Sequence, residues 1–110
     1  MLTIVEVDVA RDGHTIHPMP DGWRPIAVTS GGNKLVVSAV VDTDAKTEGE
    51  VFYVLRAGDD IDEVQQLEGT ELTFLGSDHL DGVLHYVFLA LPEQGPVRRV
   101  SHPRLLEEQG

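Results

Sequence analysis

The chain is written in short runs of alternating apolar and polar residues, cut by Gly, Asp and Pro. LTIVEVDV, residues 2 to 9, shows the pattern: Val5, Val7 and Val9 point one way, Glu6 and Asp8 the other. A period of two is that of a half-buried strand, whereas an amphipathic helix repeats its apolar residues at three and four. Similar runs follow as HTIHP, RPIAVTS (24 to 30), KLVVSAVV (34 to 41), VFYVLRA (51 to 57), ELTFLGS and GVLHYVFLAL. Such a series predicts an all-β, mainly antiparallel domain of about six to seven strands, a barrel or a sandwich.

The punctuation predicts connections. Asp12-Gly13 is a hairpin signal, so the first two strands are expected to pair. Pro20-Asp21-Gly22 fits a tight turn, after which Trp23 is expected to cover one end of the core. SGGN (30 to 33) reads as a hairpin loop. A glycine pair cradles phosphate where a strand feeds a helix, but here the strand-like KLVVSAVV follows. That run is nearly all apolar and is expected to be a central strand buried on both faces. DTDAKTEGE (42 to 50) is expected to be a polar loop. The last two strands should form a hairpin through SDHLDG, with Asp81-Gly82 in the turn. Leu84, Tyr86, Phe88 and Ala90 then line one face, and Val83, His85, Val87 and Leu89 the other.

Two segments depart from the strand pattern. GDDIDEVQQLEGTE (58 to 71) carries Asp59, Asp60, Asp62 and Glu63, and places Ile61, Val64 and Leu67 at three-residue spacing. That spacing predicts one or two helical turns, and a long connection in a small domain is a place for function. It is the first candidate for a specific interaction surface. The second segment is the tail, PEQGPVRRVSHPRLLEEQG. The β-domain is assigned to 1–91 and the linker and tail to 92–110, with a short helix over 103–108. Leu105 and Leu106 need cover from the body or a neighbouring chain, and join the candidate surface.

The charge supports this division. Up to Leu91 there are 16 acids and 5 bases, and beyond it three of each, for a net charge of −11. Such a surface disfavours direct nucleic-acid binding, since each neutralised phosphate needs a nearby cation. It disfavours anionic membranes equally. The 110 residues suit one domain, and the absence of cysteine excludes disulfides, thiolate catalysis and sulfur-rich metal sites. MLTIVEVDVA has acids where a secretory signal is basic and apolar. Val83 to Leu91 is too short an apolar run to span a bilayer. The expected setting is cytoplasmic, in a host cell or within a virion.

No catalytic or metal constellation emerges. His14 and His17 face opposite sides of a strand and cannot share an ion. Asp42 and Asp44 begin like a calcium loop, but Lys46 falls on a ligand position, Thr47 on the required glycine and Tyr53 on the terminal acid. Ser77, Asp78 and His79 are contiguous, which does not present triad geometry. Asp59, Asp60 and Asp62 lack the apolar setting that would raise one carboxyl pKa. His85 among apolar neighbours reads as a hydrogen-bonded core histidine. No cofactor is implied.

The pieces TIHPMPDGWRPIAV, LVVSAVVDTDA, VFYVLRAGDDI and LTFLGSDHLDGVLHYVFL together resemble a family of small uncharacterised β-domains from actinobacteria and their bacteriophages. The shared region runs from Thr15 to Leu91. This sequence has Leu84 where the family's tryptophan precedes its histidine, and lacks a second glycine after Gly58. The resemblance implies the β fold and a phage setting, and implies no activity.

Three functions remain open at this level. The first is a non-enzymatic interaction or assembly module, with a protein partner or a second copy of itself. The second is a small-ligand binder, such as a nucleotide-sequestering protein, using His17, Arg24, Arg56 and His85. The third is an acidic mimic of DNA. An enzyme is not expected.

Overall fold

The computed structural model describes residues 1–90. The expected tail helix at 103–108, with Leu105 and Leu106, lies outside the described residues. Seven strands and one helix follow in order: β1 (Leu2–Val9), β2 (Gly13–Pro20), β3 (Arg24–Gly31), β4 (Lys34–Asp42), β5 (Thr47–Arg56), α1 (Ile61–Glu68), β6 (Leu72–Leu80) and β7 (Val83–Ala90). They form a three-stranded sheet, β1-β4-β3, and a four-stranded sheet, β2-β5-β7-β6, antiparallel throughout. The all-β expectation is met. Of its two forms the molecule takes two separate sheets rather than a closed barrel.

The alternation read from the sequence becomes the core. Val7 and Val9 of β1, Leu35, Val37, Ala39 and Val41 of β4, and Met19, Phe52, Val54, Leu80, Val87 and Leu89 of the other sheet form one buried cluster. Each of these side chains larger than Ala39 contributes about 1.5–3 kcal/mol by leaving water. Trp23 packs against this cluster after the Asp21-Gly22 turn, its ring centroid 5.8 Å from that of Phe52. Asp81 and Gly82 both take positive φ, at 52° and 79°, as a two-residue turn matched to strand twist requires.

Three expectations are corrected. β1 and β2 do not form a hairpin: β1 pairs along its whole length with β4, and β2 with β5. The residues around Asp12-Gly13 instead carry the chain from one sheet to the other. β4 offers β1 an in-register row of apolar partners, Val7 on Val37 and Val9 on Leu35, which the polar HTIHP cannot match. The second correction concerns β4 itself. Leu35, Val37, Ala39 and Val41 are buried, but Val36, Ser38 and Val40 are only half-buried, because among the described residues no second layer covers their face. The third is the polar loop at 42–50. Thr47 to Glu50 belong to β5 and pair with Pro20 to His17, leaving only 43–46 as a turn. Polarity does not prevent a strand at the end of a sheet, since ladder hydrogen bonds need only a partner's backbone.

The two sheets meet closely along β3 and β6. A Cβ built on Gly76 would lie 2.7 Å from Val28 Cγ2, so only glycine permits this approach. Beside it, Ser30 N donates to Asp78 Oδ2 at 2.8 Å. At the opposite margin, β1 and β2 touch near their shared corner, where Ala10 N donates to Thr15 Oγ1 at 2.9 Å.

Candidate interaction surface

β5 and β6 both lie against β7 and both run antiparallel to it, so they are parallel to each other. Parallel strands cannot be joined by a tight hairpin; the chain must travel back over the sheet. α1 is that return, and it crosses the outer face of the four-stranded sheet. Asp60 caps it, accepting from Glu63 N at 3.1 Å, and Gly69 in the left-handed region closes its other end. Asp62 and Glu63 occupy the first turn, where acids oppose the positive end of the helix dipole.

The acidic run proposed from sequence as a surface is therefore partly structural. Asp60 is a cap, and Asp59 Oδ2 accepts from Arg56 N at 2.8 Å. Two polar straps hold the helix to the sheet. Tyr53 Oη donates to Glu68, and Leu72 N donates to Gln65 Oε1 at 2.9 Å. Burial beneath the helix, followed by the bond to Glu68, pushes the Tyr53 hydroxyl up to about 12. No residue of α1 is buried, and Leu67 is 78% exposed.

Beneath and beside the helix one cross-strand row runs through all four strands: His14, Tyr53, Phe88 and Phe74. Ring centroids are 5.5 Å apart for His14 and Tyr53, 5.6 Å for Phe74 and Phe88, and 6.3 Å for Phe74 and Tyr86. The row is covered at Tyr53 and open at its end, where Phe74 is 55% exposed. Ile16, on the neighbouring row, is 64% exposed. Among the described residues this face leaves Phe74 and Ile16 exposed. Sequence reading found Tyr86 and Phe88 on one face of β7, but both faces were apolar, and nothing local showed which was outward.

The four residues proposed for a small ligand do not converge. Arg56 and His85 are cross-strand neighbours on β5 and β7. His85 is 1% exposed, and its Nδ1 donates to Val83 O at 2.8 Å, as a core histidine would. His17 pairs with Glu50, six positions along β5 from Arg56, or roughly 20 Å at strand spacing. Arg24 is on β3 of the other sheet, opposite Val40. His14 pairs with Tyr53 outside and His17 with Glu50 inside, so the two histidines face opposite ways as expected. Asp42 and Asp44 bond the N-terminal ammonium at 3.0 and 2.9 Å. Among the described residues no group of three or more His, Asp and Glu could hold a metal, and no helix is long and apolar enough to cross a membrane.

No family model, no curated protein and no solved structure matches this chain.

Proposed function

We propose that this chain is a non-enzymatic interaction or assembly module that receives a protein partner on the outer aromatic face of its four-stranded sheet. The observation that carries the reading is Phe74, a large aromatic left 55% exposed at the end of the cross-strand row and in ring contact with Phe88 and Tyr86. Aromatic side chains supply much of the binding energy of interfaces, and a patch of them on a small domain marks a site of association. Asp62, Glu63 and the net charge of −11 set the complementary chemistry: an apolar anchor on the partner, ringed by basic groups. The resemblance to small phage and actinobacterial β-domains adds the proposed setting of a phage-encoded accessory or virion protein.

Matched affinity capture with the wild type and Phe74→Ser as baits tests the reading. A partner held by the wild type and lost with a folded Phe74→Ser supports it. Identical capture by both baits sinks the aromatic face as the site.

A further inference from the structure

The open margin of the molecule differs from the closed one in its backbone. Thr43 N donates to Met1 O at 2.9 Å, in line with the β1–β4 register, so these two residues form a hydrogen-bonded pair. Hydrogen-bonded and non-hydrogen-bonded pairs alternate along an antiparallel ladder. Thr3, Val5, Val7 and Val9 therefore turn their backbone groups toward β4, and Leu2, Ile4, Glu6 and Asp8 turn theirs outward. Ala10, next in the outward series, points its N–H at Thr15 Oγ1, as this parity requires.

The other three sheet edges are answered within the chain. β3 and β6 face each other through Val28, Gly76, Ser30 and Asp78. On β2, Asp21 N donates to Lys46 O at 2.7 Å, which makes the odd positions the paired ones. Pro18 and Pro20 are thus turned outward, where they offer no N–H; prolines at an edge block strand addition. β1 has no proline and no bulge over its 8 residues, and its outward side chains Leu2 and Ile4 are 71% and 61% exposed.

We infer that β1 pairs antiparallel with β1 of a second copy of this chain, joining two three-stranded sheets into one across a two-fold axis. The inference rests on the assembly reading but uses a different surface. A two-fold dimer uses the same edge on both copies and leaves neither exposed, which an unrelated strand does not achieve. Placing the axis at Val5 keeps buried faces continuous with buried faces, because paired residues then share parity. It sets Ile4 against Glu6 and Leu2 against Asp8 of the second copy, and closes about eight hydrogen bonds. An axis at Glu6 would instead oppose two carboxylates. The charge of −11 on each copy resists association, so the dimer tightens as salt is added.

The test is sedimentation equilibrium of the full chain at low and high salt, for the wild type, Ile4→Pro, Glu6→Pro and Phe74→Ser. Both proline variants delete an outward N–H and leave the β1–β4 ladder bonds intact. The wild type and Phe74→Ser are expected at twice the 12.0 kDa chain mass, and the proline variants at the chain mass with unchanged circular dichroism. A monomeric wild type at every salt and concentration overturns the inference, as does a folded proline variant that stays dimeric. A dimer lost only with Phe74→Ser overturns it too, while leaving the assembly reading in place on the aromatic face. Should both proline variants unfold, amide exchange of the wild type decides. Protection of the Ile4 and Glu6 N–H groups that grows with protein concentration supports the pairing, and free exchange at all concentrations removes it.

Discussion

The two margins of this molecule solve the edge problem in different ways. Along β3 and β6 the sheets come together over Gly76, with Val28 filling the space a Cβ would take and Asp78 reaching across to Ser30 N. Along β1 and β2 they are held apart except at the Ala10–Thr15 corner. There β2 is blunted by Pro18 and Pro20, and among the described residues no strand pairs with the outward backbone groups of β1. A margin closed by packing is sensitive to volume. A margin left open is sensitive to what can pair with it.

Substitutions at each margin sharpen this contrast. The largest effect is expected at the closed side. Gly76→Ala forces Val28 to move and should cost about 1–3 kcal/mol in denaturant unfolding. Equal stability would show that the sheets can slide apart there without penalty. At the open side, Thr15→Val removes the acceptor for Ala10 N and should cost about 1 kcal/mol, read in the same way. The outer-face strap is probed through Tyr53. Its raised pKa means the stabilisation is complete below the ordinary tyrosine pKa of about 10 and is lost as pH rises toward the value near 12. Thermal melts from neutral to strongly alkaline pH should fall more steeply for the wild type than for Tyr53→Phe.

Acid probes the closed margin again. The backbone N–H groups of His79 and then Ser30 hold the Asp78 carboxyl below the usual carboxylate range. Its stabilising effect is present above the ordinary aspartate pKa and is lost as pH falls through the depressed one. Asp78→Asn should therefore narrow the gap in melting temperature between neutral and strongly acidic buffer. The smallest effect is expected at the outer side of β1: Ile4→Ser should change monomer stability by no more than about 0.5 kcal/mol, because the side chain is mostly in water.

Much of the fold was legible because much of it is local. Alternation placed the strands, Asp-Gly and Pro-Asp-Gly placed turns, and the spacing of Ile61, Val64 and Leu67 placed α1. The candidate surface was legible only in part. Asp59 and Asp60 stood out as charge, yet both serve the local backbone, and Phe74 carried no signal in ELTFLGS at all.

The residues alone settle that the chain is built of strands and which side chains within a strand share a face, since both follow from a period of two. They leave undecided which strands become neighbours. β1 joined β4 rather than β2, and Thr47 to Glu50 became a strand, because pairing depends on the best distant partner and not on the nearest in sequence. They leave undecided also which apolar face of β7 turns inward. His85, Val87 and Leu89 went to the core and Phe88 to the outer row because the second sheet packs on one side only. Position in the layers, which no local run can encode, decided what stayed exposed.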